Sequence, residues 1–268
     1  MKLFRHKKIT TAVVLGCGPA GLFAAHEFIR HGWSVSIFSK EARRSEMFGA
    51  QYLHAPILGL DGDDDPFTID YQLKGSAISY KDKVYGRPRE DIEVSPESLV
   101  GTHPAWDIRR AYYDAWSRYG ALVERRHIDD IAVKHLTETG SLIVSSIPAM
   151  NLCIDRAAHQ FQSQSVWAVG DAPERGVTCP VQVPMNTVVC NGEGNPSWYR
   201  ASNIQGYKTC EWPMATKPPL NNVALVTKPV KSTCVCFPSV VRVGRYGTWT
   251  KGVLAHTAAE VAARYVAA

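Results

Sequence analysis

The chain has 268 residues, 45% of them hydrophobic and 21% charged, enough apolar material for one or two ordinary globular domains. No apolar run reaches the roughly 18 residues a membrane helix needs, which excludes that class. The net charge of +5 suits ordinary solubility or attraction to cofactor phosphates before it suits a polyanionic partner. In chain order, Met1 to Lys8 is a basic leader, and the apolar stretch behind it carries a Gly-rich loop, which argues against a cleaved signal peptide. Thr11–Val14 with Leu15 reads as a strand, Leu22, Phe23, Ala25, Phe28 and Ile29 recur at helical spacing up to Gly32, and Ser34–Phe38 reads as a second strand. Asp61 to Pro66 is a solvated turn. Trp106 to Tyr119 is an amphipathic helix stopped by Gly120, and Leu122–Arg126 and Leu142–Ile147 are strands.

From about Phe161 to Lys231, β-branched and aromatic residues alternate with Gly, Pro and Asn: Val166–Val169, Val181–Val189, Trp198–Ile204, Tyr207–Trp212 and Val223–Val230. This pattern predicts an antiparallel sheet covering a ligand on one face. Val240–Val243 is a further strand, and a last helix runs from about Gly252 to Tyr265. The expected fold class is α/β: a Rossmann-type parallel sheet with an inserted, reduced antiparallel β region. The expected division places the nucleotide-binding domain at 9–60, 100–160 and 232–268, and the substrate-covering region at 61–99 and 161–231.

Gly16-Cys17-Gly18-Pro19-Ala20-Gly21 lies between the first strand and the first helix. Gly16 permits a tight turn, Gly18 lets backbone approach a pyrophosphate, and Gly21 lets helix and strand pack closely. The helix N-terminus then offers free N–H groups to the anion. The ribose position at the end of the second strand, normally acidic, is Ser39, followed by Lys40, with Arg43 and Arg44 nearby. A serine cannot grip two hydroxyls as a carboxylate does, so this motif alone leaves FAD and NADP both open.

Three further segments resemble the FAD-binding superfamily of amine oxidases, protoporphyrinogen oxidase and UDP-galactopyranose mutase. They are Glu41-Ala42-Arg43-Arg44 through Phe48-Gly49-Ala50-Gln51, the strand Ile143–Pro148, and Val243-Gly244-Arg245-Tyr246-Gly247-Thr248-Trp249. The match departs at Ser39 and at Ala50, where a second glycine would lie, and the middle of the chain is short for that superfamily. The resemblance implies FAD as cofactor. It implies cofactor contacts at Gly16, Gly18, Pro19, Ala20, Gly21, Ser39, Lys40, Arg44, Gly49, Ala50, Gln51, Gly244, Arg245, Gly247, Thr248 and Trp249.

Beside that cofactor, Tyr52, His54 and Lys251 are the candidate catalytic residues. Trp198, Tyr199 and Arg200 are a candidate clamp for a planar or anionic substrate. Asp171, Glu174 and Arg175 read as a turn with local ion pairs. The seven cysteines, at 17, 153, 179, 190, 210, 234 and 236, include no C-x-x-C pair, and the nine histidines show no metal spacing, so no metal site is expected. Reduced thiols and a cytoplasmic location follow from the odd count and the lack of a secretion signal. The leading expectation is an FAD-dependent oxidoreductase acting on a C–N bond of a small amine or amino-acid group. A narrower form takes an amine-modified thymine in bacteriophage DNA, with nucleic acid as partner and a lyase outcome. The alternatives are a redox-neutral enzyme of the mutase type and a flavin-binding protein without turnover. No membrane partner is expected, and oligomeric state is left open.

Overall fold

The structure is a computed structural model, and it describes residues 10–86, 92–169, 181–218, 220 and 223–268. The basic leader and the Asp171–Arg175 turn lie outside the described residues. The chain is of mixed α/β class and divides into two units. The first comprises 1–45, 112–161 and 231–268, and the second 46–111 and 162–230.

In the first unit, β1 (Thr11–Leu15), β2 (Ser34–Ser39), β5 (Val123–Arg125), β6 (Leu142–Ser145) and β12 (Val241–Arg242) form one parallel sheet in the order β12-β6-β1-β2-β5. β1 is central and buried along four of its five residues, as its unbroken apolar run requires. α1 (Pro19–Arg30) carries a buried face of Leu22, Phe23, Ala24, Ala25 and Phe28, and α6 (Thr257–Ala267) packs along it. The opposing core joins Val13, Leu15, Phe38 and Ile143 to Val133 and Leu136 of α4 (Asp130–Thr137). α3 (Ile108–Tyr119) begins at the end of the second unit and continues into the first.

The second unit holds β3 (Phe67–Lys74), β4 (Gly101–Ala105), β7 (Phe161–Val169), β8 (Thr187–Asn191), β9 (Arg200–Ile204), β10 (Tyr207–Pro213) and β11 (Val223–Ser232), in the order β11-β7-β10-β9-β8-β3-β4. α2 (Ala77–Tyr85) lies after β3, with Ser76 capping it through a hydrogen bond from the Ser79 amide.

Four expectations need correction. The inserted sheet is mixed, because β3 runs parallel to β8 while β8, β9 and β10 are antiparallel neighbours. The strand expected over Val181–Val189 starts only at Thr187, since Asn186 adopts φ 55, a left-handed conformation that interrupts extended backbone. The last helix starts at Thr257, because Trp249 and Gly252 both have positive φ and the chain turns before it can propagate. Residues 46–60 and 100–111 lie in the second unit, where Leu53 and Trp106 exchange backbone hydrogen bonds.

Candidate nucleotide-binding site

The carboxyl ends of β1, β6 and β12 lie side by side because the three strands are parallel neighbours. Their loops therefore open on one edge, where α/β sheets take ligands. The loop after β1 is tied by Gly16 N to Phe38 O at 2.8 Å and by Ser146 N to Leu15 O at 2.8 Å. Gly16 has φ +98, and a Cβ there would lie 2.5 Å from Ser146 Oγ. A Cβ on Gly21 would lie 2.0 Å from the Gly16 carbonyl oxygen, so only glycine lets α1 sit this close to the loop.

Gly18 is different. A Cβ there would meet nothing nearer than Ser45 Oγ at 3.8 Å. Packing does not demand a glycine at this position, and the absence of a side chain keeps open the space beside the start of α1. Gly18 is also the N-cap of α1, makes no side-chain cap, and is followed by no acidic residue in the first turn. The first turn of this twelve-residue helix therefore brings no negative charge of its own to the helix's positive end, an arrangement suited to a phosphate.

The C-terminal segment closes on the same loop. Val243 N donates to Ser145 O at 2.9 Å, and Gly244 to Thr248 form the short helix α5 rather than the turn expected. A Cβ on Gly244 would come within 2.5 Å of Ala20 Cβ, and one on Gly247 within 2.4 Å of Ser145 O. Both ends of the chain therefore build one cradle from Gly16, Gly18, Gly21, Gly244 and Gly247. Pro19 and Ala20 sit in its first helical turn. Arg245 is half-buried, Thr248 Oγ1 donates to Gly244 O at 2.9 Å, and Trp249 is 2% exposed with its ring edge-on to Phe161.

Ser39 is buried, and its Oγ lies 3.3 Å from Cys17 Sγ, which also approaches Glu41 O at 3.2 Å. Lys40 is exposed, and Arg44 lies over the Tyr113 ring at 3.9 Å. Tyr112 escaped the sequence reading. Its hydroxyl donates to Cys17 O at 2.9 Å and accepts from Ser45 N at 2.9 Å, so α3 props the loop from behind. Lys251 is exposed.

The other sequence-predicted residues belong to the second unit. Gln51 is braced by the buried Arg109, whose Nη1 donates to Gln51 O at 3.3 Å. The Tyr52 hydroxyl donates to Tyr71 Oη at 2.9 Å, and its ring stacks on exposed His54 with centroids 4.8 Å apart. Burial, with Tyr71 beside it, raises the Tyr52 pKa well above that of a free phenol. Both hydroxyls therefore keep their protons at neutral pH. Ala50 and Tyr52 pack on the core of Ile69, Tyr80, Val188 and Tyr199.

The proposed clamp is not a surface. Trp198 is buried among Val169, Ala201 and Trp212, and Tyr199 is fully buried. Arg200 is held by Tyr80 Oη at 2.8 Å and lies 3.8 Å from Glu211 Oε1. The sequence reading also missed Glu211, which is 1% exposed and joined to Lys228 Nζ and the Tyr199 hydroxyl. Burial by itself raises its carboxyl, but Lys228 and Arg200 override that and bring the pKa down to about 2. Glu211 Oε1 also occupies the place a Cβ on Gly49 would need, 2.2 Å away. One acidic side chain inside Thr209-Cys210-Glu211-Trp212 was the available signal, since an unpaired charge does not survive in a buried strand.

No family model matches the chain, and no curated protein matches it. Among solved structures, it is similar to 2,6-dihydroxypyridine-3-hydroxylase from Arthrobacter nicotinovorans, with 12% identity over 97% of this chain and 84% of that one, at TM-score 0.51. Matches of lower score include a 2-methyl-3-hydroxypyridine-5-carboxylic acid oxygenase (15% identity, 97% and 88% covered, TM-score 0.49) and a Klebsiella pneumoniae HpxO variant complexed with FAD (10%, 96% and 80%, 0.47). The comparison rests on the first. It supports neither the amine-oxidase or mutase assignment nor a bacteriophage source acting on DNA, and those narrower expectations are withdrawn. At this level of identity the likeness is one of architecture: the chain shares its fold with a pyridine-ring hydroxylase.

Proposed function

We propose that the chain is an FAD-dependent oxidoreductase that hydroxylates a small planar ring compound. The observation that carries the cofactor assignment is the two-ended cradle, in which four glycines serve close packing and Gly18 alone faces open space. The cradle fits a dinucleotide pyrophosphate, and the neighbouring Arg245 supplies positive charge. The name of the hydroxylase that shares the fold supports the reaction class and a ring substrate. FAD, when bound, supplies the redox chemistry.

The side chains then orient the substrate and exclude water. Both tyrosines, Tyr52 and Tyr71, stay protonated; Tyr52 directs its proton to Tyr71, which leaves the Tyr71 hydroxyl as the donor this pair offers a ring hydroxyl or carbonyl. The Glu211 carboxylate, paired with Lys228 and Arg200, stays ionised and packs against Gly49, in the segment that carries Tyr52.

The test is the absorption spectrum of the purified chain and the identity of the cofactor released on denaturation. FAD is expected, followed by consumption of a reduced nicotinamide and dioxygen when hydroxylated pyridines are added. A protein that releases no flavin and binds none added back would refute the cofactor assignment. Bleaching of the flavin by an amine, without reduced nicotinamide, would refute the hydroxylase reading and leave FAD standing.

A further inference from the structure

We propose that Cys153, His159, Cys234 and Cys236 form a four-coordinate site for a single zinc ion, separate from the nucleotide cradle. The four ligand atoms all lie within 4.8 Å of one another, in one unit of the structure. Zinc–thiolate bonds of about 2.3 Å set the ligand atoms of a tetrahedral site roughly 3.8 Å apart, so each side chain needs to move inward by less than about 1 Å. His159 Nδ1 is already 3.3 Å from Cys153 Sγ and 3.9 Å from Cys236 Sγ. Three thiolates and an imidazole are a standard structural zinc set.

The surroundings fit a charged centre. Three thiolates and one divalent ion sum to a single negative charge, and Arg242 answers it. Its Nη2 lies 3.9 Å from Cys234 Sγ and donates to Cys236 O at 2.9 Å, so the cation is fixed beside the sulfurs. The two ligand-bearing segments are also already paired in register. Gln160 N donates to Thr233 Oγ1 at 3.0 Å, and Thr233 N donates to Gln160 O at 3.1 Å. Cys153 is buried and the other three ligands are half-buried.

The pattern escapes a sequence scan because the ligands come in two groups about eighty residues apart, as C-x₅-H and C-x-C, rather than as C-x-x-C pairs. Binding costs protons. The three thiols release theirs to solvent, and His159 Nδ1 gives up its contact with Asp155 O, 2.9 Å away, so that its lone pair faces the metal and Nε2 carries the ring proton. With all four positions filled by protein, the ion has no open site for substrate, and its part is to tie the 153–159 segment to the 234–236 segment.

The experiment uses the full chain, purified under reducing conditions, with zinc measured by inductively coupled plasma mass spectrometry before and after incubation with zinc chloride. About one zinc per chain is expected. Cobalt(II) in its place should give the intense visible and near-ultraviolet bands of tetrahedral thiolate ligation. Cys153→Ser and Cys234→Ser should lose most of the metal, while Cys210→Ala, in the core of the other unit, should keep it. His159→Cys preserves four donors and should also keep it, which covers the case in which the serine variants fail to fold by circular dichroism. Zinc well below one per chain after incubation, equal zinc in folded serine variants, or a disulfide among these cysteines that persists in reductant and blocks zinc uptake would each overturn the proposal.

Discussion

Gly18 and Gly21 are three residues apart in one loop, yet the structure predicts opposite consequences for adding a single methyl group to each. At Gly21 the new Cβ would lie 2.0 Å from Gly16 O and 2.7 Å from Ser146 Oγ. The nearer obstacle is backbone, so α1 must back away from the sheet. Overpacking of this kind costs about 1–3 kcal/mol, or a fall in Tm of about 2–12 °C for a protein of this size. At Gly18 the backbone is extended, with φ −69 and ψ 176, and the nearest atom to a new Cβ is 3.8 Å away. Alanine is unstrained there, and the loss of unfolded-chain freedom should leave the cofactor-free protein as stable as the parent or about 0.4–1 kcal/mol more so. The cost appears only when a pyrophosphate needs that space. The assay pairs thermal unfolding of cofactor-free protein with FAD titration by flavin fluorescence quenching. Gly18→Ala should keep its Tm and lose affinity by tenfold or more, as expected for about 1.4 kcal/mol of lost contact, while Gly18→Val should abolish binding. Gly21→Ala should lower Tm in the absence of cofactor. A Gly18→Ala protein that binds FAD as the parent does would show that the open space is not the phosphate position.

Three further outcomes follow from the same geometry. Arg245→Ala should weaken FAD binding or shift the flavin spectrum, whereas Lys7→Ala in the leader should do neither. Because the Glu211 carboxyl is held down at about 2, against about 4.3 when unfolded, its contribution to stability is complete above about pH 5 and is lost as pH falls toward 2. Urea midpoints taken from pH 7 to pH 3 should therefore drop more steeply for the parent than for Glu211→Gln, which should itself be markedly less stable at pH 7 because Lys228 and Arg200 lose their partner; parallel curves would remove Glu211 from this role. Tyr52→Phe should leave the unfolding free energy within about 1.5 kcal/mol of the parent but reduce hydroxylation of a ring substrate, and unchanged kcat and KM would take the phenol out of substrate binding.

Local pattern was enough for the opening of the first unit. β1, α1 and β2 were legible because an apolar run, a glycine loop and a helical stripe each obey a short-range rule. Gly16 and Gly21 were assigned their packing roles from position alone. Pairing across long separations was not legible. β3 lies beside β8 through parallel register between Asp70–Lys74 and Thr187–Asn191, and no local signal in Phe67–Lys74 announces a partner over a hundred residues away. Trp198 and Tyr199 were misleading for a related reason. An aromatic pair next to an arginine resembles a binding surface, but just before β9 the two rings enter different buried clusters, Trp198 with Val169 and Trp212 and Tyr199 with Ile69 and Val188. Arg200 then finds its counter-ion in the next strand, a partner visible only once β9 and β10 are paired.

The interleaving of the two units fixes the order in which the molecule can be completed. The ribosome delivers β1, α1 and β2 first, then most of the second unit's early strands, and β6 only afterwards. β12 and α6, which flank β6 and cover α1, come last. A nascent chain that has reached residue 230 therefore holds a glycine loop on a sheet with one edge unfilled and one helix uncovered. Contacts between α1 and α6, more than two hundred residues apart, make closure of that unit a slow, late event. On the function proposed above, nucleotide uptake needs β12, α5 and α6 in place, so a ribosome-stalled fragment ending before Val240 should emerge colourless and exposed along α1.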